Sequence, residues 1–199
     1  MFTGVITSIG TIIDTIVYSN SDQIFYIKTQ NLPSIIHAGD SISCSGICFT
    51  AINIIDDTFT IRASQETIKI SNLNTWKVGK KINLEQAMRL SDRIDGHLVQ
   101  GHVDKTAQIL AINKNLDSHE IKLSCPKELI KFIAKKGSIT LDGVSLTVNS
   151  IINQEFTVNI ILYTWQNTTF QFNKVNDHLN LEIDIIARYL DQLIQYKYN

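Results

Sequence analysis

The chain is written twice, and one offset aligns the two copies. The stretch Gly39-Asp-Ser-Ile-Ser-Cys-Ser-Gly-Ile-Cys-Phe-Thr50 returns as Lys136-Gly-Ser-Ile-Thr-Leu-Asp-Gly-Val-Ser-Leu-Thr147, displaced by 97 residues. The same offset pairs Gly4 with Gly101, Phe59-Thr60 with Phe156-Thr157, Thr67 with Thr164, and Asn83-Leu84-Glu85 with Asn180-Leu181-Glu182. Two copies make a duplicated domain and not a solenoid, which needs three or more stacked units. A chain of 199 residues then divides into two units, each large enough to bury a core of its own.

Within each copy, β-branched and aromatic residues dominate and prolines number only two, which favours strands. Segments 3–16, 23–29, 41–44, 47–55, 59–63 and 81–86 read as strands, separated by turn signals such as His37-Ala-Gly-Asp40 and Asp56-Asp57. Asn31-Leu-Pro-Ser34 reads as a turn or single helical turn. About six short strands per copy, with no alternation of strand and helix, predict an all-β fold of two tandem antiparallel barrels. Segment 87–96 is a polar linker, so the expected units are 1–97, 98–185 and a tail, 186–199. The spacing of Leu129, Ile130, Phe132 and Ile133 predicts a short helix over 127–135. Ile186, Tyr189, Leu190, Leu193, Ile194 and Lys197 recur at helical spacing. That amphipathic tail can fold back on its own barrel or pack against other chains.

Composition removes several function classes. With 18 Lys and Arg against 19 Asp and Glu, the net charge is −1, so there is no basic footprint for nucleic acid. No basic segment followed by an apolar run opens the chain, and no window approaches the ~18 apolar residues of a membrane span. Three cysteines, an odd set without a disulfide pattern, favour a reducing compartment, and the expected location is cytoplasmic. Cys44 and Cys48 have no second pair at zinc-ligand spacing, His97 and His102 share no helix or strand face, and no glycine-rich phosphate loop is present.

The two copies diverge at residues able to do chemistry. Cys48 faces Ser145, Ser45 faces Asp142, and Gly4-Val5-Ile6 faces Gly101-His102-Val103. Taken alone, His102 reads as a structural hydrogen-bonding residue, Asp142 as a turn aspartate and Cys48 as a small core residue. Their asymmetry between copies marks them together as candidates.

Met1-Phe-Thr-Gly-Val-Ile, Ser45-Gly-Ile-Cys-Phe-Thr50, Gly96-His-Leu-Val-Gln-Gly-His-Val-Asp104, Asp142-Gly-Val-Ser-Leu-Thr-Val-Asn149 and Leu181-Glu-Ile-Asp184 together resemble the riboflavin synthase family over the whole chain. The resemblance implies two six-stranded Greek-key barrels related by pseudo-twofold symmetry and a C-terminal α-helix through which three chains associate. It implies a transferase without metal or redox cofactor, in which two molecules of 6,7-dimethyl-8-ribityllumazine give riboflavin and 5-amino-6-ribitylaminouracil. Active sites between chains, and association with lumazine synthase, belong to the same expectation.

Carried onto this chain, the resemblance puts Gly4, Val5, Ile6, Cys48, Phe49, Thr50, Arg62, Ala63, Ser64, Gln65, Glu66 and Thr67 around a first pocket. Gly101, His102, Val103, Lys136, Ser145, Leu146, Thr147, Asn159, Ile160, Ile161, Leu162, Tyr163 and Thr164 fall around a second. His102 with Ser145 and Asp184 would handle protons, while Cys48 and Ser41 would position the partner lumazine. Arg62 and Leu162-Tyr163 depart from the family's usual residues. The alternatives are a non-catalytic lumazine- or flavin-binding protein on the same duplicated barrel, and a flavin-reductase-like barrel. The second of these would carry a nucleotide domain that the sequence lacks.

Overall fold

In the computed structural model, residues 1–18, 22–29 and 36–198 are described; the turn expected at 31–34 lies outside them. The first copy contains β1 (Ser8–Val17), β2 (Gln23–Thr29), β3 (Ser41–Cys44), β4 (Ile47–Thr50), β5 (Ile54–Ile55), β6 (Thr58–Ala63), helix α1 (Gln65–Ile70) and β7 (Lys81–Gln86). The second contains β8 (Lys105–Lys114), β9 (Ser118–Ser124), β10 (Ser138–Leu141), β11 (Val144–Ile152), β12 (Glu155–Ile161), helix α2 (Leu162–Asn167) and β13 (His178–Ile183). Helix α3 (Ile185–Tyr198) closes the chain.

The second copy is a closed six-stranded barrel in the order β10-β11-β12-β9-β8-β13. The first is a seven-stranded sheet, β4-β3-β7-β1-β2-β6-β5, whose two edges are consecutive pieces of one segment. The offset explains the difference. β11 carries a bulge between Val148 and Ser150, and the equivalent residues 51–53 interrupt the first copy and split β4 from β5. Ile52 N still donates to Thr60 O (3.0 Å) and Thr60 N to Asn53 O (2.9 Å), so backbone bonds carry the sheet past the break. A second bulge recurs at matched places, between Ile12 and Asp14 in β1 and between Ile109 and Ala111 in β8. Bulges kink a strand and sharpen its twist, which lets short sheets curl shut.

Alternation fills each barrel. In β9 and β12, His119, Ile121 and Leu123, and Phe156, Val158 and Ile160, point inward and are buried, while the residues between them are more exposed. In the first barrel Phe25 and Ile27 take the same role. The two cores exchange one residue each. Val103 packs into the first barrel's core and Ile6 against the second's, so the segment that opens each copy leaves its own barrel for the other.

The barrels meet on a pseudo-twofold axis at Gly46 and Gly143. A Cβ on Gly46 would lie 2.7 Å from the Gly143 nitrogen, and one on Gly143 2.8 Å from the Gly46 nitrogen, so only glycine permits the contact. Around it the bonds repeat with the copies exchanged. Asn83 Nδ2 donates to Asp142 O (2.8 Å), and Asn180 Nδ2 to Ser45 O (2.9 Å). Phe2 and Val99, also one offset apart, bridge each other through two backbone bonds.

The helix expected over 127–135 is only a single 3-10 turn, Ile130–Phe132. The expected tail helix is present as α3. Along it Ile186, Tyr189, Leu190, Leu193 and Ile194 are each more than half exposed.

Candidate active site

The crossing segments bring the reactive positions together. Glu85 on β7 accepts from Thr3 N (2.6 Å), Thr3 Oγ1 (2.7 Å) and Gly4 N (3.0 Å). Its counterpart Glu182 on β13 accepts from Gln100 N (2.6 Å), Gly101 N (2.9 Å) and His102 N (2.9 Å). Burial raises both carboxyls above their ordinary range, and the donated amides oppose that rise. Held this way, Gly4 O accepts from Ser145 N (2.8 Å) and Gly101 O accepts from Cys48 N (2.8 Å).

Gly4 therefore lies on the second barrel beside Ser145, and Gly101 on the first beside Cys48. This reverses the grouping expected from sequence, which placed Gly4, Val5 and Ile6 with Cys48, and Gly101, His102 and Val103 with Ser145. The physical reason is the backbone exchange itself. Both glycines have positive φ (+78° and +77°), and an added Cβ would meet Ser145 Cβ at 2.6 Å or Cys48 Cβ at 2.7 Å.

A cavity of about 360 Å³ opens on the second barrel. Gly4, Val5, Ile6, Ser145, Thr147, Tyr163 and Thr164 line it, all expected site residues, together with Asp95, Gly96, Ser138, Val144, Asn167 and Thr168. Thr140 sits directly opposite Ser145 in the β10–β11 ladder, and His97 reaches both. His97 Nδ1 lies 2.7 Å from Ser145 Oγ and its Nε2 3.2 Å from Thr140 Oγ1. Burial pushes the imidazole below its usual pKa, while the Asp184 carboxylate pulls it back up. The neutral ring that results can accept from the serine hydroxyl at Nδ1 and donate to Thr140 at Nε2. The histidine on Ser145 is thus His97 and not His102. His97 lies just ahead of the second repeat, where comparison of the copies could not flag it; the only signal was its glycine-histidine motif. Asp184 acts on this ring through its charge, and its Oδ1 accepts from Ile186 N (2.9 Å) at the start of α3.

Cys48, at the matched position on the first barrel, has a different setting. Burial raises its thiol pKa, the Ser41 hydroxyl bonded to it lowers it, and Glu182 raises it further. It is a protonated thiol at neutral pH and not an activated thiolate. Ser41 also lines a hollow of about 270 Å³ with His37 and Asp40. A larger hollow, about 590 Å³, lies between Thr3, Val5 and Thr7 and the linker with Arg89 and Arg93.

Other expected residues are placed as follows. Ala63 and Ile160 are completely buried in the two barrel cores, and Phe49 and Val103 nearly so. Thr50, Lys136 and Asn159 are exposed on strand or turn surfaces, and Ile161 and Tyr163 flank the start of α2. Leu146 packs against the second core. Arg62 pairs with Asp22 (2.8 Å), Ser64 caps α1 by accepting from Thr67 N (3.3 Å), and Gln65 and Glu66 form that helix's exposed first turn. Among the described residues no cluster of three or more His, Cys, Asp or Glu side chains could hold a metal ion.

The model of the lumazine binding domain matches twice, over residues 3–87 and 100–184. The chain belongs to the lumazine binding domain family. Family members similar to it over nearly the full length include a riboflavin synthase of Brucella abortus, 40% identical over 99% of this chain and 100% of that protein. One from Bacillus subtilis is 36% identical over 96% and 88%. Among solved structures, LumP complexed with 6,7-dimethyl-8-(1'-D-ribityl) lumazine superposes with a TM-score of 0.83 at 22% identity, covering 92% of this chain and 99% of that one. That likeness supports the duplicated-barrel fold alone.

Proposed function

We propose that this chain is a riboflavin synthase, a transferase that moves a four-carbon unit from one 6,7-dimethyl-8-ribityllumazine to a second. Riboflavin leaves as one product and 5-amino-6-ribitylaminouracil as the other, so what one substrate loses the other gains. The observation that carries the reading is the full-length match of both copies to curated synthases at 36–40% identity. Two similar barrels suit a reaction between two identical ligands, and much of the rate would come from holding them together.

In this reading the second barrel does the proton chemistry. Ser145 meets the lumazine, and neutral His97 takes a methyl proton through the serine hydroxyl, with Asp184 stabilising the imidazolium that forms. Cys48 and Ser41 hold the partner lumazine on the first barrel, beside His102. Three chains associate through α3, pairing the first barrel of one with the second of its neighbour; the exposed Tyr189 and Leu193 support such packing. Association with lumazine synthase and a cytoplasmic location complete the proposal. The second accords with three unpaired cysteines. No described helix is long and apolar enough to cross a membrane.

The test is to mix the protein with 6,7-dimethyl-8-ribityllumazine alone and follow visible absorbance. Growth of a riboflavin band supports the synthase. Tight binding without a new band would replace it with the non-catalytic binder.

A further inference from the structure

One wall of the second-barrel cavity is helix α2, which brings Tyr163, Thr164 and Asn167 to it, with Thr168 just past the helix end. A helix of six residues is too short to hold its conformation alone, so its place comes from what it packs on. The C-terminal end is anchored. Thr169 N donates to Asn83 Oδ1 (2.8 Å), and Phe170 is buried in the second core. The N-terminal end is held less firmly. Ile161 offers no side-chain cap, and Leu162 N reaches Asp117 O only at 3.3 Å.

Between those ends the helix rests on a ring. His119, the second residue of β9, is buried, and its imidazole lies flat against the Trp165 indole, with centroids 3.8 Å apart and planes 8° from parallel. Burial lowers the pKa of His119, and the Lys114 charge acts in the same direction, so the ring meets the indole uncharged. His119 Nδ1 has no hydrogen-bond partner among the described residues, so that nitrogen fixes nothing. The first copy secures its equivalent helix differently. One offset back, Ser64 caps α1, Ile68 packs on the first core and Asp22 pairs with Arg62, where the second copy has Ile161, Trp165 and His119. The second copy has exchanged a cap for a stack.

We propose that His119 is a positioning residue for the second lumazine pocket, its ring fixing through Trp165 where α2 presents Tyr163 and Thr164. On the synthase reading, on which this role rests, a loosened α2 weakens lumazine binding and spares proton transfer, because Ser145 on β11 and His97 lie outside the helix. The effect therefore belongs in KM and not in kcat. A core residue that served stability alone would lower the folded fraction and leave the KM of the folded chains unchanged.

The test is lumazine binding by fluorescence titration beside steady-state conversion, for the native chain, His119→Ala, His119→Phe and Trp165→Ala, with thermal unfolding to establish that each is folded. The two alanine variants each remove one face of the stack, and each should raise Kd and KM about three- to tenfold while kcat stays within about twofold. His119→Phe keeps a flat ring and should bind and convert lumazine as the native chain does. Trp165 is only half-buried on α2, so its variant carries the test if His119→Ala does not fold. Unchanged KM in a folded alanine variant overturns the assignment, as does a fall in kcat at unchanged KM. So does His119→Phe binding as weakly as His119→Ala, which would give the role to the imidazole nitrogens. A native chain that binds lumazine without converting it would end the synthase reading alone, since the Kd series still reads the stack.

Discussion

His97 is one side chain between two hydroxyls, and its charge decides what Ser145 can do. Burial holds the imidazole neutral, with Asp184 as a counterweight. Acidification should slow conversion only as pH falls through a value below the ordinary 6.5 of histidine. His97→Gln should lower kcat about 10²-fold or more and erase that acidic limb. A pH–rate profile of the two proteins checks both outcomes, and a retained limb would remove His97 from proton transfer. Asp142 titrates in the opposite sense. Burial raises its carboxyl from 3.8 to about 7, so the folded chain holds this proton more tightly than the unfolded one. Its contribution is complete below pH 3.8 and is lost as pH rises through about 7. Asp142→Asn should flatten the fall in Tm across that window, measured by thermal unfolding at stepped pH. Neither the histidine's partner nor the aspartate's burial was legible in the chain, because both depend on contacts between copies. The candidate hydroxyls and thiol were legible, because comparing the copies shows where they differ.

At the scale of elements, the crossing segments depend on two glycines that the repeat had already paired. Alanine at Gly4 or Gly101 would force a left-handed backbone costing about 1–2 kcal/mol and push a Cβ against Ser145 or Cys48. Each variant should lose stability by that amount and activity by more, as thermal unfolding beside a conversion assay would read. Most strands could be read from alternation, and the matched bulges could not. A bulge in β11 and an interruption after Thr50 come from related segments, and pattern alone does not say which curls and which breaks. The six-residue helices α1 and α2 escaped because they are too short for periodicity to register. The apolar run at 127–135 misled for the converse reason, since its spacing fits a helix but only one 3-10 turn forms. Ile161, the residue that precedes helix α2, offers no side-chain cap, whereas Ser64 caps α1. Ile161→Ser should therefore add about 1 kcal/mol of stability, visible as a higher Tm.

For the whole molecule, one register between copies was enough to read two related β units, although only the second closes as a six-stranded barrel while the first is a seven-stranded sheet with β4 and β5 at its edges. It could not tell which barrel receives which opening segment, since a duplicated chain matches both arrangements equally well. Helix α3 presents Tyr189, Leu193 and Ile194 to solvent in the single chain, each more than half exposed. If three chains close over that face, Leu193→Asp should shift the mass in sedimentation from trimer to single chain and depress conversion with it. A variant that stays trimeric would place the contact elsewhere. The proposed reaction brings two lumazines together on this chain, with Ser145 and His97 managing the proton. The most direct measurement is chromatographic quantification of both products from lumazine alone, for the native chain and for Ser145→Ala. One riboflavin and one 5-amino-6-ribitylaminouracil are expected per two lumazines consumed, with the rate cut sharply in the variant while lumazine still binds. Binding without products in the native chain, or full turnover in Ser145→Ala, would contradict it.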